Sequence, residues 1–260
     1  MEVICLDVQR SPSREWWPGA VLHHRLTPDA DVPATGWTVS RAGLVDVNPI
    51  ARLMQEHRPF IDLDGDGRRD EPGDPTQAAP ATRLILSHGG LEHGEVWYAR
   101  ADDDQPSEVA AAAVWMPPDA HGLALDLHRV VARELGVPAP ATDIPAEAPL
   151  RSIIAATSEL IAVLRGSSAQ RVLIMLADNR DGPERLDVLA ELLSPVITTE
   201  LAAGRETFAV TVDPAQVADL TALGFRPVLT APLGAAELWL GAVHPALRPP
   251  LPPQPATATV

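Results

Sequence analysis

The sequence contains no lysine: all 20 basic residues are arginine. Without a lysine amine the chain cannot form a Schiff base with a substrate or with pyridoxal phosphate, and it cannot supply the lysine of a phosphate-binding P-loop. Lysine aldolases, pyridoxal-phosphate enzymes and ordinary P-loop nucleotide hydrolases are therefore excluded. The all-arginine usage, with abundant alanine and 27 prolines, is typical of a GC-rich bacterial genome.

Cysteine is almost absent as well, because Cys5 is the only one. It has no partner for an internal disulfide, and a lone thiol is more often a small buried apolar group than a nucleophile. The first residues, Met1 to Asp7, lack the positive charge of a signal peptide, and no apolar run approaches the length of a membrane span. We therefore expect a cytoplasmic protein in a reducing compartment.

Positive charge is scarce relative to negative charge: 35 acidic residues against 20 basic ones give a formal net charge of -15. Nucleic acids and anionic membranes would be repelled by this surface. At 260 residues the chain is long enough for one sizeable domain with additions. We expect an N-terminal extension over 1–36 with a hairpin, a main domain over 37–245, and a disordered proline-rich tail over 246–260.

Hydrophobic periodicity and turn signals predict an alternation of strands and helices through the main domain. The predicted strands are 37–41, 95–100, 108–116, 171–177, 207–212 and 237–243, and the predicted helices are 46–58, 81–88, 123–135, 153–164, 184–203 and 214–223.

This order of elements is typical of the GCN5-related N-acetyltransferases (GNAT), and three segments strengthen the likeness. Leu84–Ala99, Ala112–Pro117 and Ala190–Phe225 resemble, in an ungapped register, the puromycin N-acetyltransferases of that superfamily. The resemblance covers about residues 37 to 245. It implies an α/β (α+β) fold with a mixed central sheet flanked by helices, here with an extra N-terminal hairpin, and it implies acyl-CoA chemistry.

The positions that should hold acetyl-CoA depart from the family pattern. In the family the fourth strand offers backbone groups to pantetheine, and a Q/R-x-x-G-x-G/A loop surrounds the pyrophosphate with bare amides. The same register places this loop on Glu184–Leu189, so that Glu184, Arg185, Asp187 and Leu189 form only a vestigial site. A shifted loop at Asn179–Gly182 is the alternative. The tyrosine that protonates the leaving thiolate is replaced by Leu220, which cannot donate a proton.

Other residues are candidates for chemistry in the vacated cleft. His88, Glu92 and His93 precede the strand at 95–100, where two imidazoles beside a carboxylate could serve as a general acid–base set. His121 is a further candidate. Asp178 ends the fourth strand, where the thioester would lie, and it could orient a substrate. The alternatives are a solvated turn for the histidines and helix capping for Asp178.

A substrate pocket is predicted from aromatic residues on separate strands, with core packing as the competing role. Its candidates are Trp97, Trp115, Trp239, Arg180 and Thr211. The run Asp62, Asp64 and Asp66 resembles the start of a calcium loop, but Gly73 stands where the closing glutamate belongs, so a mobile loop is the competing interpretation and we expect no metal.

Three functions remain open at this stage. The first is a repurposed enzyme of small-molecule, natural-product biosynthesis that works by acid–base residues and without acetyl-CoA. The second is an N-acyltransferase on a small amine that takes its acyl group from a CoA thioester or from a carrier protein. The third is a non-catalytic ligand-binding or self-resistance protein. In each case the partner is a small molecule, and a homodimer is left open.

Overall fold

The computed structural model describes residues 36–59, 61–63, 65–68, 75–102, 108–119, 130, 133–134 and 148–245. The predictions for the N-terminal hairpin, for the tail and for His121 lie outside these residues, as does most of the predicted helix 123–135.

The main domain alternates strands and helices in the predicted order. The strands are β1 (Trp37–Arg41), β2 (Glu95–Ala101), β3 (Val109–Met116), β4 (Arg171–Asp178), β5 (Thr207–Thr211), β6 (Arg226–Leu233) and β7 (Ala236–Val243). The α-helices are α1 (Val47–Glu56), α2 (Pro75–Leu84), α3 (Ala148–Arg165), α4 (Gly182–Ala202) and α5 (Pro214–Ala222). Among the described residues, no helix combines the length and the apolar character needed to cross a membrane.

The seven strands form one mixed sheet with the order β1-β2-β3-β4-β5-β7-β6. All neighbouring strands are antiparallel except β4 and β5, which run parallel. A parallel pair requires a crossover connection, and α4 supplies it. The expected mixed sheet flanked by helices is thus confirmed.

Helices cover both faces of the sheet. Helices α4 and α5 pack on one face through a core that includes Leu189, Leu193 and Leu220, while α1 and α3 pack on the other face in two separate clusters. The inner strand β3 is buried at all eight positions. A strand covered on both sides has no solvent face, which explains why its sequence is continuously apolar rather than alternating.

Strand β6 was not predicted from the sequence. Pro227 and Pro232 lack the N–H group that a central strand must donate, and they therefore argue against a strand over this segment. The structure places β6 at the edge of the sheet, where only one side is paired and a missing donor is tolerated. The position of β6 at the sheet edge therefore outweighs the local preference of its two prolines against strand structure.

The predicted short helix 81–88 is also corrected. Helix α2 ends at Leu84 and continues as a π-helical segment, Ile85–Leu91, that includes His88. Gly89 and Gly90 are buried in this segment, and a Cβ on Gly90 would lie 2.6 Å from the Val96 side chain. The glycines let the wider helical turn approach the sheet closely.

Gly94 connects the π-helical segment to β2 and generates a stability prediction. A Cβ at this position would collide with the carbonyl oxygen of Trp115 and would lie 2.7 Å from the sulfur of Met116. We expect Gly94→Ala to lower the free energy of unfolding by about 3 kcal/mol, because backbone must shift to admit the methyl group. Urea denaturation measures this effect.

Gly166→Ala is the matched control, since a methyl group at this position would have its nearest neighbouring atoms 3.6 Å away, at ordinary contact distance. It should change stability by no more than about 0.5 kcal/mol. Equal effects of the two substitutions would contradict the close packing inferred at Gly94.

Candidate functional site

A cleft opens where β4 and β5 diverge. The two strands pair only at Arg171, Val172 and Leu173 of β4. Immediately afterwards, the β3–β4 register passes from Leu173 to Met175, which leaves Ile174 as an extra residue in β4. Such a β-bulge bends and twists its strand. It separates the remaining part of β4 from β5, and Ile174 is 39% exposed in the gap.

The cleft contains a cavity of about 260 Å³. Its polar lining residues are His57, Thr211 and Gln216, and the others are apolar: Met54, Pro59, Ile61, Ile174, Met175, Leu176, Ala177, Val210, Val212 and Leu238. An apolar cavity with a few convergent polar groups is typical of a small-molecule site. His57 contributes the single titratable side chain among these described lining residues.

Gln216 spans the gap from α5. Asp213 caps this helix, accepting a 2.9 Å hydrogen bond from the Ala215 N–H, and Pro214 occupies its first turn. The cap directs Gln216 into the cleft, where its Nε2 donates to the Leu176 carbonyl of β4 at 2.9 Å. Its Oε1 accepts from the Thr211 hydroxyl of β5 at 2.8 Å. A side-chain amide therefore joins the two diverging strands.

An ion cluster joins α5 to α4 at the end of β4. Arg185 of α4 lies with its Nε 3.3 Å from Asp178 Oδ2 and its Nη2 2.9 Å from Asp219 Oδ2 of α5. The side chains of Asp178 and Asp219 are only 7% and 17% exposed. Burial raises the pKa of both carboxyl groups, and Arg185 opposes this rise without outweighing it. We call Gln216, Arg185, Asp219 and their contacts the α5 bridge.

The expected pyrophosphate loop is corrected by the structure. Glu184–Leu189 lies inside the first turns of α4, and Val188 and Leu189 are fully buried. Of the four vestigial residues, Arg185 belongs to the α5 bridge and Leu189 to the core, while Glu184 is exposed. This segment is therefore helix rather than loop, and the connection between β4 and α4 is Asn179–Asp181.

This shifted loop does not fit a diphosphate. Asp181 and Glu184 place two exposed carboxylates at the start of α4, and Pro183 removes one of the N–H donors that a helix N-terminus offers to anions. Gly182 is the only glycine, with φ of +60°. Leu220 is 1% exposed in the core, and Tyr98, the one tyrosine of the chain, lies on β2 beneath Arg100. The loop therefore lacks the run of glycines of the family pattern, and a buried leucine stands at the position of the family's tyrosine.

The structure brings His88, Glu92 and His93 together, but outside the cavity. His88 Nδ1 lies 3.0 Å from Glu92 Oε1, and His93 Nε2 lies 4.0 Å from Glu92 Oε2. All three side chains are about half exposed, and none of them lines the cleft. They form a solvated cluster at the end of the π-helical segment rather than on a turn facing the pocket.

The tryptophans share one face of the sheet as core residues. Trp97 and Trp115 pack beneath α4, and Trp115 is completely buried. Trp239 is 5% exposed and also borders a second cavity, of about 380 Å³, beside Asp62 and Glu237. Arg180 lies over the Trp37 ring, 5.2 Å from its centre. Of the five predicted pocket residues, Thr211 alone lines the β4–β5 cavity.

The candidate calcium loop turns its carboxylates towards its own backbone. Asp62 Oδ1 accepts from Gly65 N–H at 2.6 Å, and Asp62 Oδ2 accepts from Gly67 N–H at 2.9 Å. Asp66 Oδ1 accepts from Arg68 N–H, and Asp64 lies outside the described residues. Within those residues no group of three metal-ligating side chains converges.

Three residues of the cleft were missed by the sequence analysis. His57 ends α1, Gln216 lies in the first turn of α5, and Asp219 is one turn further along the same helix. The Asp213-Pro214 start of α5 does indicate which residues begin that helix. Nothing local indicates that β4 and β5 separate in front of it.

Comparison with solved structures shows the fold. The chain is similar to a Corynebacterium glutamicum protein of the class of histone acetyltransferase HPA2 and related acetyltransferases, with 16% identity over 82% of this chain and 98% of that one and a TM-score of 0.51. It is also similar to the polyamine N-acetyltransferase of Drosophila melanogaster, with 12% identity over 80% and 99% of the two chains and a TM-score of 0.50. A mosquito arylalkylamine N-acetyltransferase-like protein is similar as well, with 9% identity over 80% of this chain and 99% of that one and a TM-score of 0.50.

The chain therefore has the GNAT fold. No family model matches the sequence, and no curated protein matches it. The finer resemblance to the puromycin N-acetyltransferases stays a prediction.

The raised pKa of Asp178 leads to a pH prediction. A carboxyl group whose pKa is higher in the folded than in the unfolded protein favours folding at low pH, and this contribution is lost as the pH rises through the folded-state pKa. Asparagine has no such dependence. We therefore expect the stability of Asp178→Asn, relative to the unsubstituted protein, to improve as the pH rises from about 4 to about 7.

Urea denaturation of both proteins at several pH values measures this difference, in which the titration of the carboxylates outside the Asp178–Arg185–Asp219 cluster largely cancels. A relative stability that stays constant, or that worsens with rising pH, would contradict the proposed cost of burying the charge.

Proposed function

We propose that this GNAT-fold protein is an enzyme of small-molecule biosynthesis that acts on a compound bound in the β4–β5 cavity and does not use acetyl-CoA. The observation that carries the proposal is the α5 bridge. It occupies the gap between β4 and β5 with contacts of the protein itself, whereas a thioester arm would need that gap open.

The α5 bridge is costly to open. Moving α5 away from β4 separates Arg185 from Asp219 and breaks both hydrogen bonds of Gln216. Each hydrogen bond that is broken costs about 0.5–1.5 kcal/mol, and Asp219 loses its partner while Arg185 keeps Asp178. A ligand that enters through this gap would have to supply that free energy from its own contacts.

The start of α4 offers little compensation to a nucleotide thioester. Its two exposed carboxylates repel a diphosphate, and Pro183 cannot donate a hydrogen bond. A protein with a net charge of -15 also attracts polyanions weakly. Both the pantetheine and the phosphate contributions to acetyl-CoA binding are therefore reduced.

The acid–base group of the proposed reaction is His57. It lies at the C-terminal end of α1 and lines the cavity, unlike His88, Glu92 and His93. An imidazole can accept and return a proton near neutral pH, which suits general acid–base catalysis on a small bound ligand.

A second candidate function is acyl transfer to a small amine from a carrier protein. The second cavity favours it, because Asp62 and Glu237 lie beside Trp239, and carboxylates with an aromatic wall suit an ammonium group. The structurally similar Drosophila enzyme catalyses the formation of N-acetylagmatine. A carrier-bound donor would avoid the unfavourable diphosphate position.

Thermal unfolding with and without acetyl-CoA tests the central proposal. We expect 1 mM acetyl-CoA, desulfo-CoA or pantetheine to change the Tm by less than roughly 1 °C, because none of them binds the bridged cleft. A saturable rise in Tm with acetyl-CoA would refute the proposal. Native mass spectrometry of the freshly purified protein then reports whether a different small molecule remains bound.

Matched histidine variants test the assignment of the acid–base group. In a screen of small amides, esters and lactams for turnover, we expect His57→Gln to lower kcat by about 100-fold or more. His88→Gln should retain kcat within about twofold, since its side chain lies outside the cavity. Loss of activity in His88→Gln with retention in His57→Gln would assign the chemistry to the surface cluster instead.

A further inference from the structure

We propose that the Gln216 carboxamide is the recognition group of the β4–β5 cavity and that it selects ligands with a hydrogen-bond donor and an acceptor side by side, as in a lactam. This inference deepens the proposed function, on which it rests, by naming the class of substrate. It concerns binding alone and can be tested without any catalytic step.

The orientation of the Gln216 amide is fixed by its two partners. The Thr211 hydroxyl oxygen accepts a hydrogen bond from the Asp213 N–H at 3.1 Å, so its own hydrogen is available to donate to Gln216 Oε1. The Leu176 carbonyl can only accept, and it must therefore face Nε2. A reversed amide would bring two acceptors together at Leu176. The cavity consequently contains a carboxamide of defined direction.

Half of the hydrogen-bonding capacity of this amide is left for a ligand. A carboxamide has two N–H donors and an oxygen with two lone pairs, and the bonds to Leu176 and Thr211 use one of each. Within the described residues the Gln216 side chain makes no other hydrogen bond. Nε2 and Oε1 are attached to the same carbon, so with Leu176 on the N–H that points away from Oε1 and Thr211 on the lone pair of the Cγ side, the remaining donor and acceptor share one edge.

The apolar surroundings make the remaining donor and acceptor of Gln216 selective for ligands that can pair with both. Ile174, Met54, Val212 and Leu238 give the cavity apolar walls, so a polar ligand atom that fails to pair with Gln216 has few other partners. A site built to pair with polar groups rejects analogues that lack them more strongly than it rejects analogues that differ by a methylene.

The cavity volume restricts the ligand to a small molecule. About 260 Å³ is below the usual range for drug-sized ligands and suits a single ring with short substituents. A cyclic amide holds its N–H and C=O on the same side, which matches the neighbouring acceptor and donor of Gln216. Lactams and related cyclic amides therefore combine the required size, apolar body and hydrogen-bonding edge.

Three six-membered ring compounds test the recognition in the full-length protein by ligand-observed NMR. They are 2-piperidone, which has both groups, and N-methyl-2-piperidone and cyclohexanone, which keep the carbonyl but lack the N–H. We expect 2-piperidone to bind at least about tenfold more tightly than the other two, because each of them leaves the Gln216 oxygen unpaired. Equal affinities, or no binding of 2-piperidone, would overturn the inference.

Substitutions at Gln216 separate recognition from a purely structural role. Gln216→Leu should bind the three compounds with affinities equal within about twofold, whereas the exposed control Gln170→Leu should keep the discrimination. Discrimination that survives in Gln216→Leu would overturn the inference.

Gln216→Glu gives an independent result at nearly the same side-chain size, although its second oxygen loses the bond to the Leu176 carbonyl and turns away from it. The carboxylate can still accept from Thr211 but no longer donates, so it should favour 2-iminopiperidine, a cyclic amidine with two donors, over 2-piperidone by about tenfold or more. An unchanged preference for 2-piperidone would count against the proposal. Stabilisation by acetyl-CoA would contradict the proposed function without affecting these ratios, so the two failures are distinguishable.

Discussion

The divergence of β4 from β5 is the constraint on which the site depends. Two parallel strands that paired along their whole length would leave no cavity, but the extra residue at Ile174 ends the pairing after three residues. The gap exposes strand edges and apolar side chains inside the domain. Because buried backbone groups need partners, some other group must satisfy the edge that β5 no longer reaches.

In this protein α5 supplies those groups. Gln216 replaces part of the missing strand pairing with a side-chain amide, and Asp219 adds an ion pair with Arg185. Two side chains on one helix therefore hold it against β4, β5 and α4.

The charges near the cleft reinforce this difference. Asp178 and Asp219 share a single arginine, and burial raises the pKa of both carboxyl groups, so that both are harder to ionise. This cluster contributes less to stability than its two ion pairs would suggest, because the desolvation of two carboxylates opposes their attraction to one guanidinium. The cluster holds α5 against the end of β4, next to the small apolar cavity between β4 and β5.

The sequence by itself determined the order of most elements and the fold class, because periodicity and capping residues act locally: the continuous apolar run of β3 and the Asp213-Pro214 start of α5 are visible without coordinates. Its missing glycines also favour the hypothesis that acetyl-CoA binds poorly, which stays a prediction. Only the tertiary structure decided that β6 is an edge strand, that the tryptophans form core, and that His57 and Gln216 meet in one cavity. These outcomes depend on contacts between segments far apart in the chain, which no local pattern records.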